Sequence, residues 1–200
     1  MLEYGNSLSR EVRNLRLGDM VLTTSSFGNA SLQWTKVLTW GHVQHTGNYS
    51  FVEIETESGA VLHLSSDHLL FVSSDSQGNG ARDVRASEVK VRELVTVVRG
   101  QAALLSRVIR ILHREKVGFY SFFTYDGTVV VDHVLCSVFA AGRHSIKNRF
   151  WDLFRIYAHF FPEDGNLGPK VGWSLFSRVS RLLGDVTDYI EGKPVFAWSS

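Results

Sequence analysis

Polar and apolar residues alternate along Glu53-Ile54-Glu55-Thr56, and Ala60-Val61-Leu62-His63-Leu64 is dense in strand-forming side chains. This period of two predicts strands from the start of the chain to about residue 140. Glycine-containing turns punctuate them at Phe27-Gly28-Asn29, Thr46-Gly47-Asn48, Ser58-Gly59 and Asp126-Gly127. A polar stretch at 73–80, Ser-Ser-Asp-Ser-Gln-Gly-Asn-Gly, reads as a loop. After Gly142 the period lengthens. Ile146, Phe150, Leu153, Phe154 and Tyr157 fall at helical spacing, and Pro162 closes that helix because proline cannot continue one. A Gly/Pro loop at 165–169 leads to a second helix with Trp173, Phe176, Val179, Leu183, Val186 and Ile190 on one stripe. The expected organisation is mainly β over 1–142, followed by an α-helical pair over 143–200.

The β pattern occurs twice. Val37, His42, Gly47 and Tyr49 recur as Val108, His113, Gly118 and Tyr120, all at an offset of 71. Upstream, Leu15-Arg16-Leu17-Gly18-Asp19-Met20-Val21 is echoed by Val89-Lys90-Val91-Arg92-Glu93-Leu94-Val95; downstream, Gly59-Ala60-Val61-Leu62 is echoed by Gly127-Thr128-Val129-Val130. The offset drifts only where loops tolerate insertions. Two copies are too few for a solenoid, so a pseudo-two-fold domain is expected, with a cleft where the copies meet.

Composition narrows the classes. Hydrophobic residues make up 44% and charged residues 20%, as in an ordinary globular chain. A net charge of +1 gives no electrostatic footprint for nucleic acid. No run approaches the roughly 18 apolar residues of a membrane span, and the first residues show no signal-peptide pattern. With one cysteine, Cys136, there is no internal disulfide.

The densest polar cluster in an apolar frame is Val61-Leu62-His63-Leu64-Ser65-Ser66-Asp67-His68-Leu69-Leu70. Ser65 and His68, three apart at a strand end, suit polarisation of one peptide bond. The hydroxyl would donate to its carbonyl and the imidazole would protonate its departing nitrogen. The competing reading makes His68 a hydrogen-bonded core histidine and Ser65 a turn residue. At an offset of 68, His68 corresponds to Cys136, which raises a Cys136–His68 hydrolase as a third possibility. Against it stands burial of Cys136 among Val129-Val130-Val131, Val134-Leu135 and Val138-Phe139. His42, His45 and His63 lie close in sequence without zinc-ligand spacing, so no metal or other cofactor is expected. The segment 146–161 could lie on a membrane surface or hold a lipid, although its commoner role would be packing on the β unit.

Three segments carry a family resemblance: Leu15-Arg16-Leu17-Gly18-Asp19-Met20-Val21-Leu22, Leu64-Ser65-Ser66-Asp67-His68-Leu69-Leu70-Phe71-Val72, and Gly127-Thr128-Val129-Val130-Val131-Asp132-His133-Val134-Leu135. In this order and spacing they resemble the Hint (hedgehog/intein) module of hedgehog C-terminal autoprocessing domains. The tail from Gly172-Trp173-Ser174-Leu175-Phe176 resembles the sterol-recognition region of hedgehog proteins. The resemblance implies that an N-terminal cysteine thiol attacks the preceding carbonyl, and that a sterol hydroxyl then takes the acyl group. His68 matches the histidine that assists the first step, and Ser65 stands where the family usually has threonine. His42 matches an aspartate that helps activate the sterol, which opens the acceptor to alcohols other than cholesterol. Val138 replaces a cleft cysteine, in Ser137-Val138-Phe139, with Cys136 two residues away; both are possible cleft-lining positions. Phe150, Phe154, Trp173 and Phe176 are the lipid-contact candidates.

The family begins with Cys-Phe several residues before the point matching Met1, and no cysteine stands there in this sequence. As written, the chain is expected to be inactive. Either it is a fragment or it is a pseudoenzyme that kept the fold; the fragment reading is favoured, because a strand cut in its middle would leave an unpaired edge. The implied partners are an upstream domain in cis, a sterol-like alcohol as co-substrate, and a membrane surface through the tail. The implied setting is the secretory pathway. The alternative function is a non-catalytic Hint-fold module that binds lipid or membrane.

Overall fold

The protein is described here by a computed structural model covering residues 10–28 and 30–140, together with Asp152. Among them are nine strands: β1 (Met20–Thr24), β2 (Leu32–Thr56), β3 (Val61–Leu64), β4 (His68–Val72), β5 (Arg82–Arg85), β6 (Leu94–Arg99), β7 (Ala102–Thr124), β8 (Thr128–Val131) and β9 (Val134–Ala140). Single 3₁₀ turns occur at Val12–Asn14 and Ala86–Glu88. Every ladder is antiparallel. The order is β1-β2-β7-β6-β9-β4-β5, with β3 on β2 and β8 on β9. The mainly β expectation holds through Ala140; the helical pair expected over 143–200 lies outside the described residues.

The sequence repeat is a structural repeat, but its copies are interlocked. β2 pairs with its counterpart β7 along nearly its whole length, from Val37↔Thr124 to Thr56↔Val108. The copies therefore share one ladder instead of facing each other as separate lobes. The turn expected at Thr46-Gly47-Asn48 is not a turn. β2 runs straight through it, and the register slips between Gln44 and Asn48. Gly47 sits at φ +92 and its counterpart Gly118 at φ +84, a left-handed conformation that glycine adopts without steric cost. A β-bulge thus uses the chemistry that elsewhere would reverse the chain. In both copies the tyrosine two residues on, Tyr49 or Tyr120, lies over its glycine.

Strand entry is duplicated to the level of single hydrogen bonds. Gly18 N–H donates to Val37 O and Arg92 N–H donates to Val108 O, each at 2.8 Å. Val37 N–H and Val108 N–H donate back to Asp19 O and Glu93 O, again at 2.8 Å. The side chains follow suit. Asp19 Oδ2 accepts from Arg16 N–H at 2.9 Å, and Glu93 Oε2 accepts from Lys90 N–H at 2.8 Å. Arg10 pairs with Asp19 and Arg82 with Glu93.

Alternating apolar side chains fill two clusters. One gathers Val52, Ile54, Leu62, Leu70, Val72, Val95, Val97, Val108 and Cys136. The other gathers Val37, Leu69, Phe122, Phe123, Val129, Val138 and Phe139, with Leu15, Val21 and Trp40 packed against it. The second cluster carries the candidate site on its flank.

Candidate active site

β3 and β4 are joined by Ser65-Ser66-Asp67-His68, a tight turn closed by His68 N–H donating to Ser65 O at 3.0 Å. Ser65 and His68 therefore stand at its first and last positions, both half-buried. The turn is braced from outside: Ser87 N–H donates to Ser66 O at 3.1 Å, and Arg85 Nε lies 4.0 Å from Asp67 Oδ1.

His68 Nε2 lies 2.7 Å from Ser137 O on β9. A carbonyl only accepts, so Nε2 carries the proton and the neutral ring keeps its lone pair on Nδ1. Burial pushes the His68 pKa below the ordinary imidazole value, while the bond to Ser137 O pulls it back. The link also crosses the repeat, since His68 belongs to the first copy and Ser137 to the second.

His42 lies on β2 in register with Ser121, exposed, with its ring edge-on to Phe119 at 5.7 Å between centroids. Trp40, two residues before His42, and Leu69, next to His68, pack on the same cluster. Gly41, between Trp40 and His42 in sequence, lies against Phe123: a Cβ at that position would fall 2.5 Å from Phe123 Cε2.

Cys136 is fully buried opposite Leu70, its thiol lies 3.5 Å from Val134 O, and burial pushes its pKa well above the ordinary thiol value. A thiol held neutral in an apolar cluster is a poor nucleophile. The Cys136–His68 hydrolase loses its support accordingly. Val138 is buried in the second cluster. Both residues are therefore packed in the core of the described residues.

The three nearby histidines do not converge. His45 Nδ1 is 3.1 Å from Tyr120 Oη, and His63 Nε2 is 3.0 Å from Glu53 Oε2. Among the described residues no group of three or more metal-ligand side chains is present. A cavity of about 360 Å³ opens between Gly59, Val97, Arg99 and His133, and none of the sequence-predicted site residues lines it. Phe150, Phe154, Trp173 and Phe176 lie outside the described residues. Sequence reasoning missed the Ser137 carbonyl, which as a backbone group leaves no residue-type signal.

An interlocked β duplication with a turn histidine held by the opposite copy defines a Hint fold, and comparison with known proteins agrees. The family model of the Hint module matches residues 2–187, so this chain belongs to the Hint module family. Within it the chain is of the hedgehog type. It is 34% identical to the Indian hedgehog B protein of Danio rerio over 143 residues, 66% of this chain and 34% of that protein. It is 32% identical to the Indian hedgehog protein of Gallus gallus over 177 residues, 84% of this chain and 43% of that protein. Similarity extends to Warthog protein 6 of Caenorhabditis elegans, 27% identical over 72% of this chain and 24% of that protein. The chain thus spans less than half the length of these relatives. A crystal structure of a DnaB intein from Synechocystis sp. PCC 6803 shares the fold with a TM-score of 0.50 at 14% identity, covering 66% of this chain and 87% of that one.

Proposed function

We propose that this chain is the autoprocessing domain of a hedgehog-like precursor, acting in cis on a domain that precedes it. The observation that carries the reading is the His68–Ser137 bond, which fixes the ring and leaves Nδ1 as the nitrogen that exchanges protons. A cysteine thiol upstream of Met1 attacks the preceding peptide carbonyl. The lone pair on His68 Nδ1 takes up the thiol proton as the new C–S bond forms, and Nδ1 then delivers that proton to the amine that leaves as the C–N bond breaks. Ser65 donates to the carbonyl oxygen as charge builds there. A hydroxyl compound, a sterol-like alcohol or water, then attacks the thioester. His42 accepts the hydroxyl proton, and the upstream domain leaves as an ester or acid while the thiol is regenerated.

The tail, 143–200, holds the alcohol through Phe150, Phe154, Trp173 and Phe176 and brings the domain to a membrane surface. Such a precursor would mature in the secretory pathway.

The test joins a reporter domain and a Cys-Phe junction ahead of the chain and follows cleavage by added dithiothreitol. His68→Ala should slow thioester formation by roughly 10²-fold or more, the range of general acid catalysis. Cleavage of that variant at the parental rate would refute the role given to His68. His42→Ala should spare thiol cleavage and slow transfer to a sterol; loss of both reactions together would remove His42 from the second step.

A further inference from the structure

The His68 contact depends on an irregularity in β9. β4 and β9 pair at Leu70↔Cys136 and again at His68↔Ala140. One residue, Leu69, separates the pairs on β4, while Ser137, Val138 and Phe139 separate them on β9. The excess on β9 is a bulge.

In an extended strand the carbonyl of one residue and the amide of the next but one face the same side. Ser137 O and Phe139 N–H therefore both face β4, where the bulge has displaced the ladder. Each is met by a side chain. His68 Nε2–H donates to Ser137 O at 2.7 Å, and Phe139 N–H donates to Ser137 Oγ at 3.0 Å. Ser137 is fully buried, so water does not take over either role. Phe139 anchors the far side of the bulge by its ring, 5.9 Å from that of Phe123.

We propose that Ser137 is a positioning residue for His68: its hydroxyl holds the β9 bulge that turns its own carbonyl onto the imidazole. This rests on the proposed role of His68 in amide cleavage. Without the hydroxyl, the bond from Phe139 N–H to Ser137 Oγ is lost, the bulge relaxes, and the carbonyl leaves Nε2. The ring then loses its single orientation, and Nδ1 no longer stays aimed at one place.

The test compares Ser137→Thr with Ser137→Val in the 200-residue chain. The two replacements share a shape and a strand preference and differ by the hydroxyl. The readout is hydrogen exchange of the His68 Nε2 proton in ¹H–¹⁵N spectra at neutral pH, with thermal unfolding recorded alongside. The parent and Ser137→Thr should show a protected Nε2–H, and in Ser137→Val its exchange should quicken at least tenfold. Equal protection in the two variants, whether kept or lost, would overturn the proposal. So would a Val variant that unfolds more easily yet keeps the protected proton, since the hydroxyl would then serve stability alone. The measurement involves no cleavage, so it stands or falls separately from the activity assay on His68.

Discussion

Gly18 and Arg92 occupy equivalent points of the two repeats and share a left-handed backbone, φ +88 and +80. Both donate to the carbonyl of the paired valine, so the conformation belongs to the strand-entry turn and not to the residue type. An arginine there strains its Cβ against the backbone, at a cost of about 1–2 kcal/mol. Arg92→Gly should therefore stabilise the chain by about 1 kcal/mol once the extra freedom of unfolded glycine is deducted, and Gly18→Ala should destabilise it by about as much. Urea unfolding of both variants checks the pair. A destabilised Arg92→Gly would mean that contacts of the arginine side chain outweigh the strain.

Gly41 is required for a different reason. Its φ is ordinary, but Phe123 lies directly on its Cα side, with Ser121 Oγ 2.7 Å from where a Cβ would be. Gly41→Ala should cost about 1–3 kcal/mol, as overpacking commonly does. Pairing it with Phe123→Leu should recover part of that loss. Additive losses in this double-mutant cycle would place the strain elsewhere.

Much of this was legible in the sequence, and what was hidden has physical causes. Alternation and the shared offset of Val37, His42, Gly47 and Tyr49 with their counterparts disclosed the repeat, because a duplicated fold keeps its buried and left-handed positions. Gly47 was misread as a turn because a bulge and a turn both call for positive φ; only strand pairing separates them. The repeat set Arg92 opposite Gly18 but did not disclose the conformation they share, since left-handed backbone is not expected of arginine. Ser65 and His68 stood out as polar residues in an apolar frame, and the turn does bring them together. The partner of His68 could not be read, because β9 presents a carbonyl, and every residue has one.

Cys136 offers a direct probe of core opening. Its thiol is fully buried, and desolvation, followed by the nearby Asp132 charge, pushes its pKa up. A thiolate-dependent reagent such as dithiobis(nitrobenzoate) should leave it unmodified in the folded chain and react at once in denaturant. Exchange in folded protein as fast as in a free thiol would contradict the packing around Leu70 and Val97. Cys136→Ala should fold, with a loss of about 1–2 kcal/mol from the vacated volume.

His68 makes stability depend on pH in a definite direction. Burial lowers its pKa in the folded chain below the ordinary value of 6.5, so the unfolded chain binds the proton more readily. The neutral ring's contribution is fully present above that unfolded pKa. It falls as the pH drops through 6.5 and onward to the depressed folded value, where the loss is complete. His68→Gln has no proton to gain, so it should lack this part of the acid sensitivity. Urea unfolding of both forms at steps from about pH 8 to pH 5 isolates the contribution, because the other histidines are common to both. The stability gap between parent and variant should shrink on the acid side. A constant gap across the series would mean that His68 titrates alike in folded and unfolded chains, and that burial does not hold the ring neutral.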